Sequence, residues 1–398
     1  MKIKTIDLKY FIIFLFFSLM QERLFFQIDL SLVLIISIIG LIYIICNFKN
    51  IISKKYEFKT MILLLLIVEI YGIFLSYFKY NQSIITGLVG THYIFIYGLY
   101  FYFVNLFSKK EISDNLERIK KVFVVFGSFY AILLILQNIV YPNIFLKLNY
   151  GIRNGLRIQG CQIIQYAFAI AVCDLINDFK GKKIVPVLIM GYELLVINQA
   201  RNVILVFSFI ILFSYYRKIY DKKKILFLLS LFVIPIILLI MGKAGYFNIL
   251  SEIVEETQNV QGTSGVRVNE LNYYWSKLKE SKFMGIGVIG NNFYLKDYIL
   301  GTNYGYYLED IGISAFVMKT GILGFLWTVI WIKKLFKTTN KQYEWVRVLA
   351  WFVALKTVFS MFFSTSFIFD IRDGLIYFVM VLAILDCGRK LENEKVVN

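Results

Sequence analysis

A polytopic all-α membrane protein is the fold class this sequence predicts, and three observations predict it. Hydrophobic residues make up 59% of the 398 residues, and they come in unbroken windows of about 17–20, each long enough to cross a hydrocarbon core about 30 Å thick. The formal net charge is +17, and its Lys and Arg residues cluster in short stretches between the apolar runs, as the positive-inside rule requires. One long stretch, Gly242–Leu308, is too polar for a membrane to take and is flanked by apolar runs. A β-barrel would show weak alternation instead of continuous apolar runs. The placement of the positive charge argues against a nucleic-acid partner.

Taken in order, about twelve spans are expected, roughly at 8–21, 28–47, 60–78, 88–107, 122–141, 161–178, 184–199, 201–215, 225–241, 311–332, 346–364 and 372–387. The start, Met1-Lys-Ile-Lys4 and then apolar from Leu8, resembles a signal peptide. No small-residue cleavage site follows Met20, so a retained first helix is expected. Alternating sides places both termini in the cytoplasm. It also puts the basic blocks on one side: Lys49–Lys59, Lys109–Lys121, Lys180–Lys183, Arg217–Lys224, Lys333–Lys341 and Arg389–Lys395. The polar loop, 242–310, then faces outward from a single membrane domain, 1–398. Pro186 and Pro235 fall within apolar runs as candidate kinks. Cys46, Cys161, Cys173 and Cys387 lack metal-ligand spacing, and His92 is the single histidine. Neither a disulfide framework nor a zinc site is expected.

Outward cations break the charge rule. Arg153, Arg157, Arg201 and Arg267 are the main ones. Arg201 lies in a tight turn between two spans. Two readings stand for it: an arginine snorkelling to the headgroups, or a fixed cation for an anionic lipid-linked substrate, whose phosphates a guanidinium grips with paired donors. Glu69, Glu193, Lys319 and Lys356 fall inside spans and read as structural ion pairs or polar glue between helices.

Within the loop, Phe247–Gln258 reads as an amphipathic surface helix, broken by Gly262-Thr-Ser-Gly265. Val266–Ser281 reads as a second helix, with Leu271, Tyr274, Trp275 and Leu278 at packing spacing. Arg267 in its first turn opposes the helix dipole. Gly285, Gly287 and Gly290 follow. Glu309 and Asp310 stand where the loop re-enters the membrane. They are either helix caps or an acid able to take a proton from an attacking hydroxyl.

Together these residues resemble the O-antigen polymerase and ligase superfamily, bacterial membrane glycosyltransferases that use polyprenyl-diphosphate-linked glycans. The resemblance runs from Gly151 to Leu326. It rests on Arg157–Gly160, Ala200-Arg201, Val266-Arg267, Trp275, Gly285 with Gly287, and Gly321-Ile322-Leu323-Gly324. Two departures matter. Ala200 stands where the family pattern has Ser. The His-Asn pair that ligases carry near the loop's end is absent, with Asn303-Tyr304 and Glu309-Asp310 in that region. This favours the Wzy-type repeat-unit polymerase branch, whose acid followed by Ile-Gly resembles Leu308-Glu309-Asp310-Ile311-Gly312.

The resemblance implies a glycosyltransferase C-type helical bundle with an outward cavity, in a bacterial cytoplasmic membrane. No cofactor, nucleotide sugar or metal is implied. The substrates are polyprenyl-diphosphate-linked oligosaccharides, for capsule, O-antigen or exopolysaccharide synthesis. A flippase and a chain-length regulator are the implied protein partners. Arg157, Arg201 and Arg267, with Arg153 beside them, would bind the diphosphate. Asp310 or Glu309 would be the base, with Asp310 favoured because it directly precedes the Ile-Gly. Trp275, Tyr274 and Tyr304 would stack on sugars or sit at the membrane interface. A ligase is the nearest rival reading. A lipid-linked oligosaccharide flippase or other transporter is the rival from another class, although repeat symmetry is not evident here. A sensor or scaffold would leave the outward arginines unexplained.

Overall fold

A computed structural model describes residues 8–22, 30–109, 111–146, 148, 150–152, 156–158, 162–199, 206–208, 262–340, 342–360 and 374–397. Helices α1 (Leu8–Glu22), α2 (Leu30–Cys46), α3 (Phe48–Ser53) and α4 (Lys59–Tyr80) come first. Next are α5 (Ile84–Gly90), α6 (Leu99–Phe107) and α7 (Ile112–Val140). A small antiparallel hairpin, β1 (Tyr150–Ile152) and β2 (Leu156–Ile158), leads into α8 (Gln162–Asn177) and α9 (Gly181–Tyr192). The polar loop contributes α10 (Gly262–Glu280) and α11 (Lys296–Leu300). Then follow α12 (Ser314–Thr339), α13 (Glu344–Phe359) and α14 (Leu375–Val397).

Among the described residues, α4, α7 and α12 are each long and apolar enough to cross a membrane. The pair Ile84–Gly90 and His92–Phe107, bent by 61°, makes a fourth candidate. Val33–Cys46 and Gln162–Asn177 are shorter apolar helices. The architecture is thus a multi-pass helical membrane bundle. The spans expected at 201–215 and 225–241 lie outside the described residues except for 206–208, as does the expected helix Phe247–Gln258.

Three expected spans are not simple rods. The one at 88–107 takes in the end of α5, the bend and a 3₁₀ turn, His92–Gly98. The one at 184–199 leaves α-helical geometry after Tyr192 and continues as a π-helical turn, Glu193–Asn198. The one at 311–332 starts at Ser314 and is interrupted at Gly321 (φ 64°, ψ −141°). Hydropathy registers apolar length only, and a break costs little in hydropathy when neighbouring backbone satisfies the freed groups.

The bundle is organised around α14. Its side chains from Leu375 to Leu385 are all buried, which a helix apolar on every side requires. Tyr97 and Trp331 set their rings against Phe378 at 6.3 and 6.1 Å. At one end of the bundle Asp386 accepts the Glu57 N–H at 2.7 Å and the Tyr100 hydroxyl. Lys334 and Arg389 pair with Glu57, and Lys390 with Asp386 at 3.1 Å. Buried carboxylates of this kind need such partners to be tolerated.

Candidate functional site

The polar loop is held to the bundle by an extended segment threaded beside α4. It leaves α10 through Lys282 and Phe283, both at positive φ, and is buried from Gly285 to Gly290. Ile286 N donates to Met318 O at 2.9 Å and Gly287 N to Lys319 O at 2.9 Å. Ile322 N donates to Phe283 O at 3.0 Å. These bonds replace the helical ones that α12 forfeits at its break. On the α4 side Val288 N donates to Gly72 O at 3.0 Å, and Gly290 N to Gln82 Oε1 at 2.9 Å. Ser76 Oγ and Gln82 Nε2 both donate to Val288 O, at 2.7 and 2.8 Å.

Two glycines make this close approach possible. Gly287 has φ 84°, and a Cβ there would lie 2.3 Å from Ser76 Oγ. Gly321 has φ 64°, and its Cβ would lie 2.2 Å from Phe283 O. The Gly-x-Gly and Gly-Ile-x-Gly features therefore build a backbone lock.

Beyond the lock the chain folds back onto α10. Arg267, Glu270, Tyr274 and Leu278 share one stripe of that helix, at i, i+3, i+7 and i+11. Tyr274 is fully buried with Leu278, Ile286, Leu308 and Ile311, and its hydroxyl donates to Leu300 O at 2.6 Å. The ring packs the loop and presents no face to a sugar.

Tyr273 and Trp275 point about 200° apart, and their surroundings differ accordingly. Trp275 meets Phe283 with ring centroids 5.9 Å apart, beside exposed Met284, and Lys279 Nζ lies 5.6 Å from its ring. That apolar patch with one cation suits a membrane interface. Tyr273 meets Tyr306 at 5.4 Å and Tyr304 at 6.2 Å. Lys277 Nζ lies 5.7 Å from the Tyr273 ring and 5.8 Å from that of Tyr298. Burial pushes the Tyr273 phenol pKa up, against the lowering effect of Lys277. Tyr304 is 67% exposed on a tight turn between Gly301 and Gly305, both left-handed. Its neighbours Thr302 and Asn303 are polar, so this face belongs in water.

Leu308–Ile311 forms a 3₁₀ turn in which Asp310 N donates to Tyr307 O at 3.0 Å. Gly312 reverses the chain at φ 64°, and Ile313 N donates to Ser360 O at 3.1 Å. The N-cap of α12 is Ile313, with no side-chain cap bond. Asp310 is therefore not the N-cap of that helix, and its side chain is half-buried. The side chain of Glu309 lies outside the described residues.

Arg157 sits on β2 opposite Gly151. Its Nε donates to Asn198 O at 2.8 Å. Asn198 ends the π-helical turn and Gln199 turns the chain at φ 52°, just before Ala200-Arg201. The structure thus ties Arg157 to the Asn198–Gln199 turn, two residues before Arg201 in the sequence. Arg201 and Arg153 themselves lie outside the described residues. Arg267 is half-buried in the first turns of α10.

Of the charges expected inside spans, Lys356 and Glu69 are both buried within the bundle. Lys356 on α13 donates to Gln162 and Gln165 of α8 at 3.1 and 2.8 Å, and lies 5.5 Å from the Tyr166 ring. Glu69 of α4 is buried, within electrostatic reach of Lys319. Sequence reasoning missed Glu270, which is fully buried and accepts the Tyr307 N–H at 2.9 Å. Its place on the Tyr274 stripe was the available signal.

Among the described residues, no group of three or more His, Cys, Asp or Glu side chains is arranged to hold a metal.

Residues 186–329 match the family model described as O-antigen ligase. The matched stretch contains Arg201, Arg267, the glycine lock and the acid turn, and it supports the O-antigen polymerase/ligase superfamily for this chain. No curated protein and no solved structure matches the chain.

Proposed function

We propose that this member of the O-antigen polymerase/ligase superfamily polymerises polyprenyl-diphosphate-linked oligosaccharide repeat units, with its 242–310 loop outside the cytoplasmic membrane. A hydroxyl on the non-reducing sugar of one lipid-linked unit attacks the anomeric carbon of the growing chain. The bond from that carbon to the diphosphate breaks, and polyprenyl diphosphate leaves with the electron pair. Asp310 takes the hydroxyl proton. Arg157, Arg201 and Arg267 hold the diphosphate as its charge develops.

The observation that carries the polymerase reading over the ligase one is the acid turn. A carboxylate stands near the loop's end, where the resemblance would have a ligase carry histidine. His92, the single histidine, lies far from it in sequence, is 8% exposed, and places Nδ1 2.6 Å from Val89 O.

Purified protein in vesicles, given only lipid-linked repeat units, is expected to build a ladder of glycans spaced by one unit. Transfer to a different acceptor without a ladder would indicate a ligase. Transbilayer movement of intact substrate would indicate a flippase. His92→Asn keeps a donor near the Nδ1 position and should retain ladder formation within about threefold of wild type. A dead variant of normal abundance would move the base to His92.

The sidedness is checked separately. In a background with all four cysteines replaced, Asn303→Cys should react with an impermeant thiol reagent in intact cells. Asn340→Cys, equally exposed, should react only after lysis. The reverse pattern would overturn the topology.

A further inference from the structure

Glu270 is a titratable group that the chemistry above does not use, yet its side chain is completely buried. It lies one turn after Arg267 and one turn before Tyr274 on the same stripe of α10. Its Oε1 accepts the Tyr307 N–H at 2.9 Å. The carbonyl of that same Tyr307 accepts the Asp310 N–H at 3.0 Å and closes the acid turn. At the turn's far end, Ile313 N is held by Ser360 O at 3.1 Å. The acid turn is thus clamped at two backbone N–H groups, one by a side chain of α10 and one by the end of α13.

Next to Glu270 on the stripe, Tyr274 and Leu278 join Leu308 and Ile311 of the turn in one buried apolar cluster. A carboxylate placed there costs free energy unless it is hydrogen-bonded. A leucine would pack the two elements together without that cost. What the carboxylate adds is direction, because a hydrogen bond fixes the orientation of the Tyr307 peptide and apolar contact does not.

We propose that Glu270 is a positioning residue for chain growth. Its bond to Tyr307 fixes the Leu308–Ile311 turn, and with it Asp310, relative to Arg267 on the same helix. This inference rests on the polymerase reading. Misplacing a reacting group by 1 Å costs on the order of 10²-fold in rate, so a clamp on the turn is a clamp on turnover.

Three variants test it in full-length protein in vesicles. Glu270→Gln keeps an acceptor oxygen at the same reach and should retain kcat within about threefold. Glu270→Asp keeps the charge but withdraws the oxygen by one methylene. Glu270→Ala removes the acceptor. Both of these should lower kcat by roughly 10- to 100-fold, with KM for lipid-linked repeat units changed by less than about twofold. Hydrogen exchange of the Tyr307–Ile311 amides, which needs no substrate, should accelerate in the Asp and Ala variants and stay at the wild-type rate in Gln. If Ala does not fold, the Gln and Asp pair decides. A Gln variant as slow as Asp would show that charge, not the bond, matters, and would overturn the proposal. Wild-type kcat in Asp or Ala would do the same. A wild-type protein that builds no ladder would instead sink the polymerase reading, and the exchange pattern would still report on the clamp.

Discussion

Asp310→Asn is expected to slow chain growth by roughly 10²–10⁴-fold, the range that a positioned general base contributes. The amide keeps the shape and reach of the acid but removes its charge and its ability to accept the proton. The substitution removes no helix cap, because the N-cap of α12 is Ile313, without a side-chain bond. Even a lost cap would cost only about 1 kcal/mol, and Asn caps about as well as Asp. The measurement is the rate of ladder growth by purified variants in vesicles, with thermal unfolding in detergent as the control. Glu309→Gln run beside it assigns the base. If Glu309→Gln alone is slow, the neighbouring acid carries the proton. Wild-type rates in both would refute the acid mechanism.

Gly287→Ala and Gly321→Ala are expected to deplete folded protein, each by about 2–6 kcal/mol of stability. A non-glycine residue held at such a φ costs about 1–3 kcal/mol in backbone strain. The new methyl at either site must also push aside its neighbour, Ser76 Oγ at 2.3 Å or the Phe283 carbonyl at 2.2 Å, and overpacking typically costs another 1–3 kcal/mol. The Phe283 carbonyl is backbone and itself holds Ile322 N, so it has little freedom to yield. Gly305→Ala is the matched control. It too has a positive φ, 75°, in the left-handed helical region (ψ 19°), and a Cβ there meets nothing within 4 Å. It should cost only the conformational term, about 1–2 kcal/mol. Folded yield and unfolding temperature in detergent give the order. Equal losses at all three sites would mean that φ alone matters and that the lock contributes nothing through its close packing.

The membrane class was legible because bilayer thickness converts directly into sequence length. Apolar windows such as those of α4 and α12 are visible without any tertiary information. The helix over Val266–Ser281 was legible for a related reason. Leu271, Tyr274 and Leu278 repeat at helical spacing, and the structure has a helix over Gly262–Glu280, which takes in the Gly262–Gly265 stretch expected to be a break. Glycine content could be read, but not its purpose. The residues that clash with Gly287 and Gly321 lie more than 200 positions away for Ser76 and about 40 for Phe283, and no local pattern announces them.

The candidate site divides along the same line. The residue types suited to binding a diphosphate and accepting a proton, Arg157, Arg267 and Asp310, stood out as exceptions to hydropathy and charge rules that hold along the rest of the chain. Their mutual arrangement did not. That Arg157 reaches the turn before Arg201 depends on a bond to a backbone carbonyl 41 residues away. That Tyr274 is core while Tyr304 is exposed depends on which face of α10 meets the acid turn. Sequence by itself determined what each segment is made of and whether it prefers lipid or water, since both follow from local composition. Only the tertiary structure decided which helices break, which aromatic ring is buried and what holds Asp310 in place, because those outcomes turn on hydrogen bonds and steric contacts between residues far apart in the chain.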